Sequence, residues 1–436
     1  MEKLLEMAKN ACGKAEIYSL GYETNSVAFQ NARLQEIDTS FQGGICLRVI
    51  KDGKLGFAYT KNLQNREELL NNAIASMKSG IEAQYEFPLT KDTAQLKPYD
   101  SSLEDISSSQ MVAECERICG ILKSKTNGEI NVGASKIIQS TRIMNSSGTD
   151  LGSKGSGYYS VADIIFPGSA AGIGRGYQSK AFGQMPDKMI NEIIMLYNKG
   201  SRVAAPKGGR MKVIFMPGSM NTIAWRILSG TNGKNIFDKV SPVAGKIGEK
   251  IFGDNITIFD DPANDAYPFA HSADDEGTRC ERFTLVEKGV LRNFFYDLNY
   301  ASKLKTKPTG HGYKSAMWGG DPVSLKPMPD IAKLTIAPGD KSFAEMVKSM
   351  DRGIILEGAL GAHSGNIPNG DYSVGVSPAL YVEKGEIAGR VKDTMITGNI
   401  YTTLKNVGAL GSEIYPSGGY NVPPILCDDV SVVTNG

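Results

Sequence analysis

The chain has 436 residues, enough for two or three domains at about 150 residues each, and its 48 basic and 47 acidic side chains leave a net charge of +1. That balance excludes the global electrostatic footprint of a dedicated nucleic-acid binder, and 22 % charged with 41 % hydrophobic residues excludes a disordered chain. Glycine is the outlier: 49 residues, about 11 % against a usual share of about 7 %, which without a collagen period predicts many strands joined by tight turns.

The N-terminus, Met1-Glu2-Lys3-Leu4-Leu5-Glu6, carries acids where a signal peptide would carry a basic and then an apolar run. No apolar run approaches the roughly 20 residues that span a bilayer. The expectation is a soluble, cytoplasmic protein with no membrane partner. A short helix opens the chain, from Glu2 to about Asn10. Strand patterns follow at Ala15–Leu20, Ser26–Asn31, Leu34–Thr39, Ile45–Ile50 and Leu55–Tyr59. In the fourth, Ile45, Leu47 and Val49 alternate with Cys46 and Arg48, the period-2 mark of a strand with one buried face. Asp52-Gly53 predicts a hairpin turn, because both residues tolerate the positive φ that such turns need.

Three helices come next. Asn65 can cap the first, with Glu68 three residues on and Leu69, Leu70, Ala73, Ile74 and Met77 as its apolar stripe. Met111, Cys115, Ile118, Cys119 and Leu122 form the stripe of the second. Pro186 starts the third, with Ile190, Ile193, Ile194 and Tyr197 inward. More strand pattern lies between the second and third, from Asn131 to Phe166. The Gly172, Gly174, Gly176 run lacks the strand-to-helix context of a dinucleotide fingerprint and reads as a strand bulge or hairpin.

The basic, glycine- and proline-containing stretch 199–210 predicts a domain boundary. Beyond it, Met211–Met216 reads as a buried strand. Pro217-Gly218-Ser219 then turns into a helix with Met220, Ile223, Ala224, Ile227 and Leu228 inward. After that helix, strands dominate. Lys288-Gly289 and Lys384-Gly385 each sit between extended segments as hairpin turns. One further helix is expected from about Ser342 to Met350, with Gly353 in its C-cap region. The predicted fold class is α+β in two domains. Residues 1–200 form an N-terminal mixed α/β layer domain, and residues 210–436 a C-terminal β-rich domain with a curved, largely antiparallel sheet.

Three histidines, His271, His311 and His363, share no helical turn, which argues against a His-rich metal site within this chain. The six cysteines are scattered with no C-x-x-C pair, as in a reduced compartment. Cys115 and Cys119 read as core residues. The acidic run Asp260, Asp261, Asp265, Asp274, Asp275, Glu276 does not match a calcium loop and is expected to be turn-rich and solvated. His311 and His363 stand in glycine-flanked loops and are candidates for a peptide groove or an interface. No G-x-S-x-G elbow and no phosphate loop is present.

A set of short motifs gives the chain its resemblance. They are Asp274-Asp275-Glu276-Gly277-Thr278, Phe283–Leu291, Pro308-Thr309-Gly310-His311, Asn369–Gly375, Val382–Gly385, Thr397-Gly398-Asn399-Ile400 and the turn Asn145-Ser146-Ser147-Gly148. Their order and spacing resemble the TldD/PmbA family, whose members are often labelled modulators of DNA gyrase. The resemblance implies an intracellular, peptide-processing metalloprotease built from two kinds of subunit. Its TldD-like subunit carries H-E-x-x-x-H on the helix after a strand and a Pro-Gly turn, plus a cysteine ligand near the C-terminus, so that two His hold zinc and the Glu polarises water.

In this chain the matching strand–turn–helix is Val213–Leu228, and the three chemical positions fall on Trp225, Arg226 and Gly230. None can substitute: indole and hydrogen are not ligands, a guanidinium is no base at neutral pH, and Arg226 would repel a cation. Val407–Tyr420 holds no cysteine; Cys427 falls after it. The resemblance is therefore to the PmbA, or TldE-like, branch that lacks the metal site. It implies no catalytic or metal-binding residue and no cofactor in this chain, with zinc only in a TldD-like partner. It also implies a heterodimer with that partner or a homodimer alone, formed through the C-terminal domain, and an extended peptide held by strand addition. The rival reading is a stand-alone homodimeric peptide-binding protein or gyrase-related modulator without protease activity.

Overall fold

In the computed structural model, residues 1–316, 319–417 and 419–434 are described. The first half is built on one antiparallel sheet of six strands. They are β1 (Lys14–Gln30), β2 (Arg33–Lys51), β3 (Lys54–Thr60), β4 (Glu129–Asn145), β5 (Asp150–Ile165) and β6 (Gly172–Ser179), in the order β3-β2-β1-β4-β5-β6. Two strands are longer than the sequence pattern suggests. The segments expected at 15–20 and 26–31 are one strand, as are those at 34–39 and 45–50. The register runs from Lys14↔Ile50 to Gln30↔Arg33, with one irregularity at Ala28/Phe29. The middle of each strand is glycine-rich or polar and buries no side chain fully, half-buried in β1 and more exposed in β2, so no apolar alternation marks it as strand. Asp52 and Gly53 make the β2–β3 turn with φ of 51° and 70°. The Gly172–Gly176 run lies in edge strand β6, paired to β5 as a hairpin.

Four helices cover one face of this sheet: α1 (Glu2–Cys12), α2 (Arg66–Ser76), α3 (Ser108–Lys125) and α4 (Asp187–Lys199). The Asn65 side chain accepts from the Glu68 N–H and starts α2. Leu4, Ala8, Leu69 and Leu70 pack on Ile17, Leu47 and Val49, and Met111, Ile118 and Leu122 on Val132, Ala134 and Ile164. Tyr18 and Leu20 point to the opposite face, because side chains alternate along a strand.

The second half holds a nine-stranded sheet whose central strand β7 (Gly209–Phe215) runs parallel to Arg352–Leu356 and antiparallel to Ile425–Thr434. A six-stranded sheet stands opposite, from Val290–Leu291 at one edge to Tyr415–Ser417 at the other. Between them runs α5 (Asn221–Thr231), whose Ile223, Ala224 and Ile227 share a core with Val213 and Phe215 on one side and Ile258, Leu285 and Ile336 on the other. The outward residues of the nine-stranded sheet, Ile214, Ile355, Leu380 and Leu426, form one apolar cluster with Ile190, Ile193 and Tyr197 of α4. Both Lys-Gly turns form, with φ of 47° and 77° at Lys288-Gly289 and 51° and 78° at Lys384-Gly385.

The expected late helix is shorter, Phe343–Lys348, with a Ser342–Glu345 capping box. Gly353 is not its cap. It lies in strand Arg352–Leu356 beside β7, where an added Cβ would stand 2.5 Å from the Lys212 carbonyl oxygen, so close strand pairing explains the glycine. No described helix is long and apolar enough to cross a membrane.

Candidate functional site

Strand β7 ends at Phe215, and Met216-Pro217-Gly218-Ser219 turns the chain into α5. Helical spacing sends the three motif positions to different surroundings. Trp225 is half-buried on the side of Asn221 and Leu228, where its side chain bonds the Tyr420 hydroxyl. Burial pushes the Tyr420 phenol up to about 12, and that bond opposes the shift.

Arg226 is fully buried. Its Nε donates to the Asp371 carbonyl (2.6 Å), its Nη1 to the carbonyls of Thr222 and Ala362 (2.9 Å each), and its Nη2 to that of Ser364 (2.7 Å). The ring of Tyr372 lies 5.9 Å from the guanidinium carbon. Burial lowers the pKa of the guanidinium, partly offset by Tyr372 and Asp371. Four neutral backbone acceptors thus take the place of a counter-carboxylate. The cation ties α5 to the 361–371 loop, on which His363 is exposed.

Gly230 is buried, and an added Cβ would lie 2.2 Å from the Tyr401 hydroxyl oxygen. Tyr401 stacks on Phe252 with centroids 5.8 Å apart and rings 13° from parallel, so a phenol fills the space beside this position. The fit to zinc is poor on chemistry alone. The three positions present an indole engaged with a phenol, a guanidinium engaged with carbonyls, and no side chain. Cys427 is buried inside the nine-stranded sheet, and burial pushes its thiol pKa up. Among the described residues no group of three or more His, Cys, Asp or Glu could hold a metal ion.

Two cavities flank the start of α5 and share Pro217 and Gly218 in their walls. One, of about 330 Å³, runs along Asn221 and Leu228 to Asp330 and Tyr420. The other, of about 400 Å³, lies between edge strand β6 and the edge segment Tyr415–Ser417. Tyr159, Tyr177 and Tyr415 line it, and Arg175 sits 5.8 Å from the Tyr415 ring. Arg175 is held by Glu192 of α4 and by Glu357, at 2.6 to 3.1 Å. No sequence signal marks this arrangement, since its three charges lie far apart in the chain.

The remaining candidates are placed elsewhere. His311 is buried against Phe283 and Phe295, with Nδ1 2.9 Å from the Thr309 hydroxyl and Nε2 3.4 Å from Asp260. It lines neither of these two cavities. The acidic run is turn-rich but not solvated, contrary to expectation: Asp260, Asp274 and Glu276 are all buried. The reason is that each carboxylate organises backbone or pairs with a base. Asp274 accepts from the N–H groups of Glu276, Thr278 and Gly312. Glu276 accepts from Arg48 of β2 at 2.7 Å and from the Leu298 N–H. Arg48 also grips Glu16 of β1, so a buried cluster of one guanidinium and two carboxyl groups joins the two halves.

Known proteins share this architecture. The family model of the PmbA/TldA metallopeptidase C-terminal domain matches residues 208–434, and that of PmbA/TldA metallopeptidase domain 1 matches residues 15–77. The chain is 25 % identical over 417 residues to an uncharacterized protein of Methanocaldococcus jannaschii, covering 93 % of each. It is 26 % identical over 419 residues to a metalloprotease of Methanothermobacter thermautotrophicus, covering 92 % of this chain and 88 % of that protein. The crystal structure of TldE from Thermococcus kodakarensis shares the fold, with a TM-score of 0.90 at 22 % identity over 99 % of both chains.

Proposed function

We propose that this chain, which belongs to the PmbA/TldA metallopeptidase family, is the metal-free subunit of a two-subunit intracellular metallopeptidase acting on peptides or unfolded segments. The observation that carries the reading is Arg226. At the position where a metallopeptidase helix would present a water-polarising carboxylate, a buried guanidinium is bound to four backbone carbonyls. Such a group neither accepts a proton nor tolerates a divalent cation beside it. Zinc would belong to a TldD-like partner. The contribution of this chain would be peptide binding and assembly.

The cavity between β6 and Tyr415–Ser417 supports the peptide role, because two sheet edges face an aromatic-lined space. An extended peptide paired to an edge is read by its backbone, so selectivity for sequence would be low.

The test compares the purified chain with the chain mixed with a TldD-like subunit bearing H-E-x-x-x-H. The expected result is no stoichiometric zinc and no peptide cleavage for the chain alone, and a heterodimer that binds zinc and cleaves in the mixture. One tightly held zinc per chain with cleavage by the chain alone would overturn the reading.

A further inference from the structure

A third cavity, of about 360 Å³, lies away from α5, between the helix-free face of the N-terminal sheet and, on the other side, residues of 262–275 together with Tyr313, Lys314, Pro322, Ala332 and Lys333. The anionic groups around it already have donors. Asp274 is bonded as described above, Asp275 accepts from the Lys314 N–H, and Asp260 accepts from the N–H groups of Ala332 and Lys333. His271 is also satisfied. Its Nδ1 lies 3.0 Å from the Phe269 carbonyl, an acceptor only, so Nδ1 carries a proton, and Nε2 is bonded to the Tyr313 hydroxyl 3.0 Å away.

Lys333 differs. Its side chain is half-buried in the cavity wall, and among the described residues its ammonium makes no hydrogen bond or ion pair. The Tyr267 ring lies 6.0 Å from that ammonium, a weak cation–π neighbour that carries no charge to balance it. Burial lowers its pKa, and the nearby charge of Asp260 only partly opposes this. Across the cavity, the side chains of Gln139 and Thr141 on β4 also lack hydrogen-bond partners among the described residues. A half-buried ammonium facing unused neutral donors is an incomplete site, because desolvated charges are stable when paired.

We propose that this cavity binds a small organic carboxylate bearing an apolar or aromatic group. Its carboxylate seats on Lys333 and hydrogen-bonds Gln139 or Thr141, and its apolar part lies on Tyr267 and Phe269. The other ammonium of the wall, that of Lys314, already donates to the Leu325 carbonyl, so one unpartnered ammonium with neutral donors matches a single negative charge; a phosphate dianion calls for more than one cation. The volume is within the usual range for small-ligand pockets. The inference does not rest on the subunit role proposed above.

The test is titration calorimetry of the full chain with two probes, N-acetylphenylalanine and its uncharged amide. The acid should bind at least about tenfold more tightly than the amide. Lys333→Gln should weaken the acid by about tenfold or more and leave the amide unchanged, while Lys333→Arg should keep the acid within about threefold. If Lys333→Gln does not fold, protection of Lys333 against reductive methylation in the wild-type chain gives the same answer: the acid should protect and the amide should not. Equal affinity for acid and amide, an unchanged acid affinity in folded Lys333→Gln, or no heat with the acid at about 10 mM would overturn the proposal.

Discussion

Replacing Arg226 by Met keeps most of the side-chain volume and removes every donor. Four carbonyls lose a charged partner, and hydrogen bonds to charged groups contribute about 1.5–3 kcal/mol each. A simple sum overstates the loss. The contacts to Ser364 and Asp371 are only partly buried, so water can replace the guanidinium there. The carbonyl of Ala362 is bonded in a fully buried setting and would be left unsatisfied at about 1–3 kcal/mol, whereas that of Thr222, inside α5, keeps its backbone partner in the helix. Relief from burying the cation offsets part of this. The expected loss is about 2–4 kcal/mol, from the orphaned Ala362 carbonyl and the weakened contacts to Ser364 and Asp371. The Arg226→Lys variant should retain only part of the stabilisation, because an ammonium lacks the planar fork. Urea unfolding measures the loss, and hydrogen exchange localises it: amides of residues 361–371 should exchange faster well below the global transition. A loss under about 1 kcal/mol with unchanged exchange in that loop would refute the claim that Arg226 fastens it.

Two further outcomes follow from the packing and the buried charges. Gly230→Ala should cost about 1–3 kcal/mol by overpacking, and Tyr401→Phe should recover most of it, because the next ring atom, Cζ, stands 3.5 Å from the added Cβ; strictly additive losses in a double-mutant cycle would contradict the contact. Burial pushes the Glu16 carboxyl up to about 7, with Glu276 adding to the shift, and the Asp297 carboxyl up to about 8 for the same two reasons. Both groups hold a proton in the folded chain that the unfolded chain releases near pH 4, so their contribution is full below about pH 4 and is lost as pH rises through about 7–8. Melting temperature should therefore fall between about pH 5 and pH 8. Asp297→Asn, which keeps an acceptor for the Tyr300 N–H, should flatten that decline, and an unchanged slope would rule the assignment out.

Local chemistry is legible in the sequence and long-range chemistry is not. The Asn65 cap and the Asp-Gly and two Lys-Gly turns depend on residues within a few positions of one another, and all form as expected. The long strands β1 and β2 each read as two segments because their middles bury no side chain fully and need no alternation to be held in register by backbone bonds. The stripe of α4 announces an amphipathic helix but not its second partner, the outward face of the nine-stranded sheet. At the site, the Pro-Gly turn places the strand–turn–helix correctly. The meaning of Arg226 is not legible, because its acceptors outside α5 are backbone carbonyls 136 to 145 residues away, and a carbonyl has no side-chain signature. The acidic run misleads for a related reason. Glycine and acidic residues suggest exposed loops, yet here the carboxylates are the local donors' partners and are buried with them.

The three motif positions are not empty places left by lost ligands. Each has been built into the packing: Trp225 against Tyr420, Arg226 into the 361–371 loop, and Gly230 beneath Tyr401. A carboxylate at 226 would face carbonyl oxygens that need donors, replacing attraction with repulsion in a buried setting. A histidine at 230 would have to displace a phenol that is stacked on Phe252 and bounded by Gly370, whose added Cβ would lie 2.8 Å from the Tyr401 ring. Restoring the ligands would thus dismantle the joint between α5, the 361–371 loop and the Tyr401 segment before any metal could bind. A helix fastened in this way resists conversion to a metal site, because the contacts that hold the fold are those that such a site would have to remove.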